Sequence, residues 1–234
     1  MSNYIIVSDF HFSHSKSDGT GGILEFERGN RFDTIQEHDY FITDCIIKWL
    51  SKLAKDDTFY FLGDFGRPTD ATIAALVEIF RKSPCRKVAV RGNHDHEQET
   101  ALMKMLFDEV YDYPIYISDR IVLSHRPHVE MDQSVLNISG HLHGSTLNLP
   151  NYMCASIHVN GYKPITSQQV QSKLGSLPKR DIRFLWEWFA PYYKFTQKKE
   201  DVVYDKDVNI DLAASRVIQR LIQEGRIKKS GEIE

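Results

Sequence analysis

Five short apolar runs in this chain each lead into residues that bind divalent metals, and that pattern narrows the folds open to it. Tyr4-Ile5-Ile6-Val7 leads into Asp9-Phe10-His11, and Thr58-Phe59-Tyr60-Phe61-Leu62 into Gly63-Asp64. Lys87-Val88-Ala89-Val90 is followed by Arg91-Gly92-Asn93-His94-Asp95. Ile121-Val122-Leu123 precedes Ser124-His125, and Val135-Leu136-Asn137-Ile138 precedes Gly140-His141-Leu142-His143. Runs of this length, rich in β-branched and aromatic residues, read as strands. In an open α/β sheet, strand ends on one edge converge on a shared crevice. Segments far apart in sequence therefore deliver their side chains to one place. Glycines beside three of them permit the tight turns this requires.

Helical periods fill the gaps between the early strands. Ile35, Phe41, Ile42, Cys45, Ile46, Trp49, Leu50 and Leu53 predict a helix over residues 34–54, with Asp33 as N-cap and Gln36 as its capping-box partner. Thr69 or Asp70 caps a second helix through Ala75, Leu76, Ile79 and Phe80, closed by Pro84. A third is expected around Leu102 to Phe107, and a further short β-like run at Ile115-Tyr116-Ile117. Strand–helix alternation early and strand-rich order late indicate an α/β core with mixed sheets.

The composition shifts near Pro164. We therefore expect a core domain over residues 1–164 and a C-terminal helical extension over 165–234. The extension holds the aromatic cluster Phe184–Tyr193 and an amphipathic stretch, Asp211 to Arg226. The cluster is expected to pack on the core or to form a homo-oligomer contact.

The ligand types are carboxylates, imidazoles and one amide oxygen, with no thiolate, which suits hard-to-borderline divalent ions. Seven ligands are too many for one ion and fit two ions that share a carboxylate, the arrangement that clamps an in-line displacement at phosphorus.

The ordered set Asp-x-His, Gly-Asp, Gly-Asn-His-Asp, His, Gly-His-x-His resembles the calcineurin-like metallophosphoesterase family. It covers roughly Asn3 to Val159, about two thirds of the chain. Asn30-Arg31-Phe32 and Leu62-Gly63-Asp64-Phe65 resemble its small bacterial and phage members. The resemblance implies a four-layer α/β/β/α sandwich. It also implies that Asp9, His11 and His143 bind one metal, that Asn93, His125 and His141 bind the other, and that Asp64 bridges both. His94 would be the non-ligand histidine near the leaving group, oriented by Asp95. The two divalent ions would be manganese, with iron, zinc or nickel as alternatives, and the nucleophile a hydroxide held between them. Two such ions bring four positive charges; Asp9, Asp64 and the hydroxide remove three, which leaves a site suited to an anionic phosphate.

The implied activity is phosphate-ester hydrolysis, foremost of a phosphodiester in a small nucleotide-like or cyclic substrate. A nuclease is the alternative, and a non-catalytic scaffold a third. The net charge of -3 and the absence of a dense basic patch argue against processive polymer binding. Arg31 and Arg126, beside motif segments, are the candidate phosphate grips. His14 and His96 lie close enough to the motifs to reach substrate. No apolar run approaches the roughly 20 residues that span a bilayer. Cys45, Cys85 and Cys154 form no C-x-x-C and read as reduced, small apolar residues, so a cytoplasmic setting is expected.

Overall fold

The computed structural model describes residues 3–15, 22–26, 31–128 and 131–179. Two mixed sheets carry the fold. In the first, β1 (Tyr4–Val7), β2 (Thr58–Phe61), β3 (Arg86–Val90) and β4 (Glu109–Tyr111) run parallel. The second has β5 (Ile115–Ser118) antiparallel to β6 (Ile121–Ser124), which runs parallel to β7 (Leu136–Ser139) and through it to β8 (Tyr152–Cys154). A two-residue strand, β9 (Ile165–Thr166), closes the first sheet antiparallel to β1, giving the order β4-β3-β2-β1-β9.

Alternation along each strand assigns its two faces. Val7, Phe59, Phe61 and Ala89 meet α1 (Ile35–Leu50), α2 (Asp70–Lys82) and α3 (Glu97–Leu106) through Ile42, Ile46, Leu50, Leu76, Phe80 and Met103. Ile6, Tyr60, Leu62, Val88 and Val90 face the other way and meet Ile121, Leu123, Leu136 and Ile138 of the second sheet. A helical layer and two stacked sheets are thus laid out in the mixed α/β arrangement expected. The helices form where local chemistry caps them. Thr34, not Asp33, is the N-cap of α1: its extended backbone lets the hydroxyl accept from the Glu37 N–H, while the Glu37 carboxylate accepts from the Asp33 N–H. Thr69 caps α2 as expected.

The core runs past residue 164. Ile165 pairs with Ile6, and α4 (Ser167–Gly175) starts on a capping box of Thr166 and Gln169 and buries Val170 between the sheets. The expected domain break at 164/165 is therefore placed too early, because β9 and α4 complete the first unit, Met1–Arg180. The Phe184–Tyr193 cluster and the Asp211–Arg226 stretch lie outside the described residues. Among the described residues no helix is long and apolar enough to cross a membrane, and all three cysteines are free and buried.

The amino-terminal edge of the first sheet is tied by a polar turn. The Asp57 carboxylate accepts from the Asn3 and Ala54 N–H groups at 3.0 and 2.8 Å, which fixes the start of β2 beside β1. At the opposite edge, aromatic anchors hold the loops. Phe10, Phe12 and Phe65 alternate with Asp9, His11 and Asp64 and are fully buried beneath them, Phe10 stacking on Phe61 at 4.5 Å. Phe61→Ala should therefore cost about 3–5 kcal/mol of stability. Urea denaturation checks this; a loss below 1 kcal/mol would mean the aromatic stack does not anchor the core.

Candidate metal centre

All five ligand-bearing segments leave the carboxyl ends of parallel strands: Asp9 and His11 after β1, Asp64 after β2, Asn93–Asp95 after β3, His125 after β6, and His141 and His143 after β7. Main-chain bonds lock the first two loops together, from the Asp9 N–H to the Gly63 carbonyl and from the His11 N–H to the Asp64 carbonyl. Gly63 and Gly92 let the loops after β2 and β3 touch. A Cβ on Gly63 would stand 2.4 Å from the Gly92 nitrogen, and one on Gly92 would stand 2.1 Å from Asp64 Oδ1.

Two groups of side chains result, and both contain Asp64. Asp9, His11, Asp64 and His143 place one ligand atom each within 4.8 Å of one another, as do Asp64, His125 and His141. Asp64 Oδ2 lies 3.3 Å from both His11 Nε2 and His125 Nε2. Asn93 Oδ1 is 2.9 Å from His125 Nε2, which brings it to the second group. His11 Nε2, Asp64 Oδ2 and His141 Nδ1 are buried with no hydrogen-bond partner. Buried polar atoms left unmatched cost about 1–3 kcal/mol each, so their clustering marks a place built for a cation. The donor set of carboxylate oxygen and imidazole nitrogen fits divalent metals.

The backbone is strained at the same positions. Asp9, His11, Asp64, His141 and His143 all adopt left-handed φ, between 46° and 72°. Such residues cost about 1–3 kcal/mol each and persist only where surrounding structure over-determines them. Asp and His tolerate the region better than most residues.

Electrostatics agree with the geometry. Burial by itself would raise the Asp64 pKa, but the contacts and charge of His11 and His125 outweigh it and hold the carboxyl well below its ordinary range. Burial lowers the pKa of His143 to about 4 against the pull of Asp9, so its imidazole is neutral and carries a lone pair at pH 7. Burial, then His125 and Arg126, lower His141. His125 is oriented by a hydrogen bond from its Nδ1–H to the Leu62 carbonyl at 2.8 Å, which turns Nε2 toward Asp64.

The non-ligand candidates are placed differently from one another. His94 is exposed beside the first group, its main-chain N–H donating to Asp64 Oδ1 at 2.9 Å and its ring 5.3 Å from that of His11. Asp95 does not orient it. Both Asp95 oxygens are taken by main-chain N–H groups, those of Asp64, Phe65 and Gly92 at 2.7–2.8 Å, so this buried carboxylate fixes two loops instead. Arg31 stacks over the rings of Phe41 and Tyr162 at 4.9 and 5.0 Å. Arg126 is exposed and close enough to His141 to act on its charge. His14 lies against His11, whereas His96 is the N-cap residue of α3.

Sequence reasoning missed three supports. Ser8 Oγ donates to Asp9 Oδ2 at 2.6 Å, and Asp39 Oδ2 accepts from both the N–H and the hydroxyl of Ser13 at 2.9 Å. His158 Nε2 stands 3.2 Å from the Asp9 carbonyl. Only Asp39 left a signal, as an acidic residue on the buried face of α1.

The family model for the calcineurin-like phosphoesterases matches residues 3–215. The chain belongs to that family. The match extends beyond the motif blocks into the C-terminal part. A Mycobacterium phage L5 protein, the gene 66 product, is 35% identical over 96 residues, which are 41% of this chain and 41% of that protein. The chain thus matches about two fifths of the length of this curated relative. The crystal structure of a protein of unknown function from Aquifex aeolicus aligns with a TM-score of 0.55 and 26% identity, covering 74% of this chain and 99% of that one. A nuclease from Pseudomonas putida, MPE, aligns with a TM-score of 0.38 and 20% identity over 60% of this chain and 61% of its own.

Asp95→Asn removes one acceptor oxygen and turns an amide N–H toward main-chain donors. It should destabilise the protein by about 1–3 kcal/mol. Wild-type stability in urea denaturation would show that the three amide bonds do not hold the loops.

Proposed function

We propose that this phosphoesterase hydrolyses a phosphodiester bond in a small nucleotide-like or cyclic substrate, using two divalent ions, manganese foremost. The sharing of Asp64 between two ligand groups carries the reading. One ion would be held by Asp9, His11, His143 and Asp64, and the other by Asn93, His125, His141 and Asp64. When bound, such a pair supplies Lewis acidity and lowers the pKa of a coordinated water toward about 7.

The chain's own residues supply the remainder. His94, exposed beside the first group, would give a proton to the departing oxygen, a contribution of typically 10²–10⁴-fold. Arg126, exposed and near enough to His141 to act on its charge, would bind a non-bridging phosphate oxygen. The scale of the positive surface favours a small substrate. Arg67 pairs with Glu99, and Arg91 pairs with Asp112 at 2.8 Å. Those guanidinium charges are already offset, which disfavours a polyanion and suits the single negative charge of a diester.

Metal-stripped protein reloaded with manganese should cleave bis-p-nitrophenyl phosphate faster than p-nitrophenyl phosphate. Asp64→Asn should lose at least about 100-fold of that turnover. Faster monoester cleavage would make the protein a phosphomonoesterase, and no turnover with manganese, iron, zinc or nickel would overturn the reading. Arg126→Ala should raise KM for the diester about tenfold with little change in kcat. Steady-state kinetics decide, since an equal fall in kcat would place Arg126 in the chemical step instead.

A further inference from the structure

His11 has two ring nitrogens with different surroundings. Nε2 is buried without a hydrogen-bond partner and faces Asp64 Oδ2 at 3.3 Å and Asp9 Oδ1 at 3.9 Å. Nδ1 lies 2.7 Å from Nδ1 of His14, and their ring centroids are 4.7 Å apart. Two nitrogens at that distance share one proton, so one ring donates and the other accepts. A neutral imidazole that turns the lone pair of Nε2 toward a cation carries its proton on Nδ1. The proton of His11 then points at His14, whose Nδ1 has to be the acceptor.

We propose that His14 is the positioning residue of the first metal group: it accepts the Nδ1–H of His11 and so fixes the plane and tautomer of that ligand. This inference rests on the two-ion reading above. The acceptor behind a metal-binding histidine is ordinarily a carboxylate, a carbonyl or water. His125 follows that rule, with the Leu62 carbonyl at 2.8 Å. His11 has an imidazole in the same role, and the chain is shaped to hold it there. The His14 N–H donates to the His11 carbonyl at 3.1 Å, which closes a tight turn. Both donors of Ser13, within that turn, are taken by Asp39 Oδ2. The Ile23 N–H donates to the His14 carbonyl at 3.0 Å, and Gly22 permits the approach, since a Cβ there would stand 2.3 Å from that oxygen.

The test compares manganese binding by calorimetry in the full-length wild type, His14→Leu and His14→Asn. Asparagine can offer an oxygen close to where Nδ1 stood; leucine keeps bulk and offers no acceptor. The wild type should take up two ions per chain. His14→Leu should weaken one of them by about 10–100-fold and spare the other. His14→Asn should stay within about threefold of wild type. Thermal melting of the metal-free variants checks that each is folded. Unchanged binding of both ions by His14→Leu would overturn the proposal, as would an equal loss in His14→Asn. A second readout uses the zinc-loaded wild type: nitrogen NMR of the histidine rings should find the proton on His11 Nδ1 and none on His14 Nδ1, and the reverse would overturn it. A wild type that takes up no metal at all would instead sink the two-ion reading itself.

Discussion

One buried carboxylate underlies the site. Asp95 accepts the main-chain N–H groups of Asp64, Phe65 and Gly92, and so ties the loop after β2 to the loop after β3. With that contact in place Asp64 has little freedom left. Its backbone is left-handed, its Oδ1 accepts from His94, and its Oδ2 is turned toward His11 and His125. Five residues held left-handed would together cost on the order of 5–15 kcal/mol, comparable to the whole stability of a typical domain. Such a site persists because the aromatic floor of Phe10, Phe12 and Phe65 and the main-chain bonds between loops hold it there.

The strands that carry ligands were legible because they are buried on both faces and so read as unbroken apolar runs. What escaped was short. Glu109–Tyr111 and Tyr152–Cys154 have three residues each, and Ile165–Thr166 only two, too few for any period to emerge. The helix at Ser167–Gly175 fully buries only Val170, so its periodicity is faint; Thr166 and Gln169 were its one local sign. The same shortness put the domain break too early.

The residues that gather at the site were legible because metal chemistry demands particular side chains at strand ends. Their supports were not. Asp95 acts through main-chain amides, and an amide is present at every non-proline position, so nothing in the sequence marks its partners. It therefore read as the companion of neighbouring His94. Ser8 and Asp39 likewise act on groups that only the fold brings near.

The two edges of the first sheet divide their tasks. At one edge Asp57 pins Asn3 and Ala54 in an ordinary polar turn that holds no ligand; at the other, the loops after β1, β2 and β3 each carry part of the site. Evolution therefore has separate handles on robustness and on chemistry. Substitutions around the Asp57 turn can accumulate as reserve stability without moving a reacting group. Such a reserve would offset the cost of the left-handed residues that the loops at the far edge carry.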